Sequence, residues 1–220
     1  MTFLIPLMHN KTLAKGIITI IAFATISFAQ PAAPLQYGGK TYKTVKIGEQ
    51  TWMAENLNYE AGGSKCYDNK PDNCTKYGRL YNWETALKVC PKGWHLPSNA
   101  EWDRLLRFID GDKGSERQFK EAYRSTFAGK QLKAVNGWNW NDDEGTSGNG
   151  TDDYGFSVLP GGYGHPDGSF STIGSYCKFW SASERTKDYA YYRSIDFNID
   201  YAYWNSYGKS YLFSVRCLKD

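Results

Sequence analysis

No block of lysine and arginine stands out in this chain of 220 residues, whose formal net charge is only +3. A nucleic-acid-binding role therefore lacks its electrostatic footprint. Long hydrophobic runs are missing too: after Phe28, no stretch approaches the roughly 20 apolar residues of a membrane-spanning helix. No internal repeat is visible, which favours one domain. The composition of disorder is also absent, since 41% of residues are hydrophobic and 22% charged, enough apolar matter for a packed core. What the chain has in quantity is aromatic and flexible: 8 Trp, 17 Tyr, 11 Phe and 22 Gly. Such a mixture predicts short strands and tight turns rather than a helical bundle.

The N-terminus reads as an address. Lys11 and Lys15 precede an apolar run to Phe28, and Ser27-Phe28-Ala29 places small residues at the −3 and −1 positions of a cut. This is the pattern of a secretory signal peptide over residues 1–29. No cysteine follows the cut, so lipid attachment there is not indicated. The expected product is exported, to the periplasm, the cell surface or the medium, with no span left after cleavage. All five cysteines (Cys66, Cys74, Cys90, Cys177, Cys217) remain in it, and in an oxidising compartment pairing is their default fate. An odd count leaves one over.

Residues 30–39, rich in Pro and Ala, read as a linker, with a single domain over 40–220. Thr44-Val45-Lys46-Ile47, Gly48-Glu49 and Gln50-Thr51-Trp52-Met53 predict a hairpin closed by a two-residue turn. Residues 63–78 form a turn-rich loop bracketed by Cys66 and Cys74. A short amphipathic helix is expected over 83–89. A clearer one follows Ser98, where Ser98 and Glu101 make a capping box. Its apolar stripe is Trp102, Leu105, Leu106 and Ile109, with Gly111 as the stop. A weaker helix is expected over 115–124, then a loop-rich, aromatic stretch from 136 to 164. Toward the end, Ile195, Phe197 and Ile199 alternate with Ser194, Asp196, Asn198 and Asp200, the pattern of a half-buried strand. After a turn at 205–208, a last strand places Tyr211, Phe213, Val215 and Cys217 on one face.

The stretch KIGEQTWMAENLNY at 46–59 resembles the opening motif of the Fibrobacter succinogenes major paralogous domain family. Similar to its later motifs are YGRLY at 77–81, CPKGWHLPS at 90–98 with Glu101-Trp102 after it, and GTD at 150–152. YGFS at 154–157, LPGG at 159–162, FWS at 179–181 and SVRC at 214–217 complete the likeness, which covers about residues 40 to 220. It implies an exported bacterial domain of unassigned activity. His95-Leu96-Pro97-Ser98 with Glu101-Trp102 is also similar to a motif of formylglycine-generating-enzyme-like domains. That likeness implies an α+β, C-type-lectin-like fold: small antiparallel sheets, two flanking helices and a long irregular loop region. The long disulfide of that fold, from the first helix to the last strand, implies Cys90–Cys217. Cys66–Cys74 is the second expected pair and Cys177 the leftover.

Three functional readings remain open, an enzyme, a recognition module and a structural module, and Ca²⁺ is the one candidate cofactor. A formylglycine-generating-type enzyme would need a close cysteine pair in the C-terminal half. Only Cys177 and Cys217 lie there, so the catalytic candidate reduces to a Cys177 thiolate, which requires a lowered pKa; no catalytic residue is assigned. Asp142, Asp143, Glu144, Asp152 and Asp153 are hard-oxygen donors of the kind Ca²⁺ prefers, in a Gly-rich stretch. Trp140-Asn141-Asp142 spells the W-N-D triplet of calcium-dependent lectins, but its usual partner triplet is out of order, and a solvated acidic loop is the competing reading. The favoured reading is non-catalytic recognition of a polysaccharide or cell-surface partner. Sugar rings present apolar faces to rings that also hydrogen-bond at an edge. Trp138, Trp140, Tyr154, Tyr163, Tyr201, Tyr203, Trp204 and Tyr207 are its candidate residues, whereas Trp52, Trp94, Trp102 and Trp180 are expected in the core. A structural surface or adhesion module is a further alternative.

Overall fold

The computed structural model describes residues 29–111, 125 and 127–220. The signal segment before Ala29 and the weak helix expected over 115–124 lie outside them. What is described is a mixed α+β architecture of several small antiparallel sheets and a few short helices.

Residues 30–39, expected as a linker, are already paired. Strand β1 (Gln30–Pro31) adds to the edge of the first sheet, aligning Gln30 with Lys46 and Pro31 with Val45. An edge strand tolerates a proline that has no N–H to give. Strands β2 (Leu35–Tyr37) and β3 (Lys40–Tyr42) then form a hairpin. Gly38 and Gly39 turn it with φ of 57° and 73°, and any Cβ on Gly38 would sit 2.5 Å from the Tyr59 ring. The hairpin expected next is present as β4 (Thr44–Ile47) and β5 (Gln50–Met53), with Ile47 opposite Gln50 across the two-residue turn.

The Cys-bracketed loop holds more structure than its turn formers suggest. Helix α1 (Pro71–Tyr77) begins with proline at a position where no N–H is needed. Helix α2 (Trp83–Ala86), capped by the Asn82 side chain accepting from the Thr85 amide at 2.9 Å, is shorter than expected. Strand β6 (Trp94–His95) follows. Helix α3 (Asn99–Asp110) starts with the capping box of Ser98 and Glu101 and stops at Gly111, whose φ is 56°. Helix α4 (Ala128–Leu132) and two small hairpins come next: β7 (Trp140–Asn141) with β8 (Thr146–Ser147), and β9 (Tyr163–Gly164) with β10 (Phe170–Ser171). Strands β11 (Tyr176–Glu184), β12 (Tyr189–Asp196) and β13 (Tyr203–Gly208) make a three-stranded sheet. The last strand, β14 (Leu218–Lys219), inserts between β5 and β6, so the first sheet runs β1-β4-β5-β14-β6.

Helix α3 supplies the centre of one core. The Trp102 ring lies 4.7 Å from Trp52 of β5 and 5.4 Å from Phe179 of β11, with Leu105, Leu106, Val45, Ile47 and Ile195 packed around them. A second core gathers Met53, Leu57, Tyr81, Trp83, Trp180, Tyr192, Phe213 and Val215. Residues 213–217 stitch the two sheets together. The Phe213 and Tyr81 backbones exchange hydrogen bonds, Ser214 donates to Lys178, and Leu57 and Met53 donate to the carbonyls of Val215 and Cys217.

This stitching revises two expectations. Leu212, Ser214 and Arg216 are buried as well as Phe213, Val215 and Cys217, so the closing segment has no solvent face. The expected turn at 205–208 is instead the end of β13, and the chain reverses at Lys209-Ser210. Strand β12 stops at Asp196, and Ser194 and Asp196 are buried opposite Ile195, because at this point of the sheet the second face is covered as well. Two disulfides, Cys66–Cys74 and Cys90–Cys217, are formed, and Cys177 is free and buried.

Candidate functional site

Alternation along β11 puts Tyr176, Lys178 and Trp180 on one face. The register sets Asp196, Ser194 and Tyr192 of β12 opposite them, and Tyr203, Asn205 and Tyr207 of β13 beyond. Tyr163 of β9 and Tyr211 and Phe213 of the closing segment fold onto that face. The Tyr207 ring lies 4.3 Å from Tyr211, 6.1 Å from Tyr192 and 6.5 Å from Tyr163. His165 continues the cluster, 5.0 Å from Tyr163 and 5.4 Å from Tyr211. Tyr163, Tyr176, Tyr203, Tyr207 and Tyr211 are half-buried and Asn205 is exposed, so a rim of phenols meets solvent.

Lys178 sits inside this ring of rings. Its Nζ is 4.0 Å from the Tyr163 centroid, 5.1 Å from Tyr207, 5.2 Å from Tyr192, 5.6 Å from Phe213 and 5.9 Å from Tyr176. An ammonium over aromatic faces is attracted by their quadrupoles, more strongly when desolvated. Burial draws its pKa down to about 8, and the negative charge of Asp196 works against that shift. Asp196 is itself pushed up by burial, while Ser194 Oγ and the Tyr203 hydroxyl donate to its carboxylate at 2.6 and 2.9 Å. Burial likewise raises Tyr163, Tyr176, Tyr192, Tyr203 and Tyr207, so near neutral pH the phenols are protonated donors. The face offers apolar ring surface beside hydroxyls, an amide and one caged cation.

Three of the eight aromatic candidates, Tyr163, Tyr203 and Tyr207, meet here. Trp204 points the other way, packing on Tyr191 at 5.4 Å, and Tyr201 leans on Tyr203 at 6.2 Å. Trp138 is a core residue: it is 6% exposed, and its Nε1 donates to the Val158 carbonyl at 2.9 Å. Tyr154 packs edge-on to Phe108 at 6.3 Å, and Trp140, 56% exposed, stands on the separate β7–β8 hairpin. The face was under-read from the sequence because Tyr176, Lys178, Tyr192 and Asp196 belong to it only through strand register. The Tyr-x-Lys spacing at 176–178 was the one available signal.

The acidic residues do not assemble. Asp142, Asp143 and Glu144 occupy the exposed turn between β7 and β8, and Asp152 accepts from the Ser157 amide at 2.7 Å and from its hydroxyl. Asp153 is exposed. Among the described residues, no group of three or more His, Cys, Asp or Glu is placed to hold a metal ion. Cys177 is fully buried and its pKa is driven up to about 11 by that burial, with Arg216 opposing, the reverse of what a thiolate nucleophile needs.

A family model described as the Fibrobacter succinogenes major domain matches residues 45–219. The chain belongs to that family. The match runs from β4 to β14, so it spans the three-stranded sheet, the first sheet apart from β1, the stitching segment and the tyrosine face. No curated protein and no solved structure matches the chain. Among the described residues, no helix is long and apolar enough to cross a membrane.

Proposed function

We propose that this major domain is an exported, non-catalytic recognition module that binds polysaccharide across the tyrosine face. The observation that carries the reading is the convergence of Tyr163, Tyr176, Tyr192, Tyr203, Tyr207 and Tyr211 around Lys178 on one partly exposed sheet face. Phenol rings packed edge to face give a sugar ring an apolar floor, and their hydroxyls with Asn205 supply directed hydrogen bonds. The caged ammonium holds several rings at once, so little conformational freedom is lost on binding. Export is supported by the signal pattern and by two disulfides. A C-type-lectin-like fold is the finer architecture we infer. It is supported by the bond from Cys90, just after α2, to Cys217, and by the terminal strand lying against β5.

Retention of the mature protein on insoluble neutral glycans tests the function. Tyr176→Ala and Tyr207→Ala should each weaken retention about fivefold, taking roughly 1 kcal/mol per stacked ring. Far-UV and near-UV circular dichroism should stay native. Unchanged retention in both variants, or none in the parent, would refute the assignment.

A further inference from the structure

A separate cleft lies elsewhere and shares no residue with the tyrosine face. Its volume is about 620 Å³, within the range of small-ligand sites, about 300–1,000 Å³. Two separated segments bring lysines to it: Lys40 of β3 with Lys43 just after that strand, and Lys76 from α1. All three are exposed, and among the described residues none has a carboxylate within 4.0 Å. The two acids of the lining are engaged: Glu55 accepts the Lys43 amide at 2.8 Å and Asp152 accepts from Ser157. The remaining lining is rich in neutral hydrogen-bonding groups, among them Thr41, Asn58, Thr75 and Asn136.

Its floor is rigid. Arg216, 1% exposed, donates from Nε to Asn56 Oδ1 at 2.8 Å, from one terminal nitrogen to the Phe156 carbonyl, and from the other to Ser157 at 3.1 Å. Asn56 in turn donates to the Tyr77 carbonyl at 2.9 Å. Gly78 closes this corner with φ of 79°, where a Cβ would meet Asn56 at 2.7 Å. A preorganised floor beneath ammonium groups that no carboxylate contacts, with Lys76 held over the Tyr77 ring at 4.9 Å, favours an anion over a neutral chain.

We infer that this cleft is a second binding site, for an anionic oligosaccharide whose carboxylates or sulfates engage Lys40, Lys43 and Lys76 while its hydroxyls meet the amides and threonines. Titration calorimetry on the mature protein at low salt, with uronate oligomers, sulfated oligomers, neutral cello-oligosaccharides and poly-glutamate as probes, tests it. Binding of one or both charged sugars is expected, with the better of the two identifying the acid group. It should weaken at least about tenfold in K40Q/K43Q/K76Q and also on raising salt to 0.5 M, where charges are screened within about 4–5 Å. Circular dichroism checks that the variant, altered only at exposed positions, remains folded. No binding of either charged sugar would overturn the assignment, as would equal binding by the variant, or poly-glutamate or cello-oligosaccharide binding as tightly as the charged sugars. Soluble charged oligomers report on this cleft and retention on neutral insoluble glycan on the tyrosine face, so the two readings fail separately.

Discussion

Replacing both Cys90 and Cys217 by alanine removes a cross-link between residues 127 apart in sequence, whereas removing Cys66–Cys74 frees a separation of only 8. In the chain-entropy treatment, closing a loop costs the unfolded chain more as the loop lengthens. The expression yields roughly 4.9 kcal/mol for the long bond and roughly 2.5 kcal/mol for the short one at 25 °C. At about 2–4 °C per kcal/mol for a chain of this size, the melting temperature should fall by about 10–20 °C and about 5–10 °C respectively. Cys217 is fully buried, so its truncation adds a small void. Cys90→Ala alone leaves the Cys217 sulfur in place and isolates the cross-link. Urea denaturation with a shared slope, run beside thermal melts, measures both pairs. If the C66A/C74A protein lost as much stability as C90A/C217A, the claim that the long bond restrains the whole domain would be wrong.

The ion network at the N-terminus of α3 has a pH signature. Burial lowers the His95 pKa, but bonds to Asp220 at 2.6 Å and Glu101 at 2.9 Å outweigh it and raise the value above 6.5. Burial raises Glu101, yet the Ser98 and His95 bonds bring it below 4.5. Stability from His95 is thus complete below pH 6.5 and lost as pH rises through its raised value. That from Glu101 is complete above 4.5 and lost on acidification. The stability gap between the parent and His95→Gln should therefore be widest between pH 4.5 and 6.5 and narrow toward 8.5; a gap flat across that range refutes the network. Arg216→Met strands the acceptors of Asn56, Phe156 and Ser157. At about 1–3 kcal/mol each it should cost at least about 3 kcal/mol in urea denaturation, and a loss under about 1 kcal/mol would contradict the structural role of these Arg216 bonds. Cys177 should resist iodoacetamide in the folded protein and react only on unfolding, as read by mass spectrometry; rapid native labelling would reopen the thiolate reading.

Local rules made parts of the structure legible in the sequence. The β4–β5 hairpin follows from Gly48-Glu49 between two β-rich runs, and α3 from its capping box and apolar stripe. Each depends on neighbours a few residues apart. Residues 30–42 were harder, because β1 is held by a partner strand rather than by its own propensity, although Gly38-Gly39 was a readable turn. The alternation around Ile195 was sound for Ile195 but wrong for Asp196. Period two indicates which residues share a face; it does not reveal whether the other face is covered. Trp138 was misplaced for the same reason: a tryptophan in a Gly-rich stretch looks exposed until Val158 supplies the acceptor for its indole. Lys178 could not be recognised as caged, since its rings come from β9, β11, β12, β13 and the closing segment.

Both proposed surfaces depend on the segment 213–217. Phe213 lies under the tyrosine cluster, while Arg216, three residues on, ties the floor of the lysine-edged cleft. Between them, backbone bonds from Ser214 to Lys178 and from Leu57 to Val215 fasten the segment to β11 and to the stretch after β5. Cys217 anchors its end through the long disulfide. A segment held this way has no exposed face along which to adapt, so specificity would have to be varied in what surrounds it. The rim side chains that reach solvent are Asn205 and Tyr176 on one surface, and Lys40, Lys43, Lys76 and Asn136 on the other. A rigid spine with two variable margins would let related domains keep one core while changing ligands. On that reasoning, loosening the spine with C90A/C217A should weaken retention on neutral glycan and binding of charged oligomers together, whereas rim substitutions should affect one and spare the other.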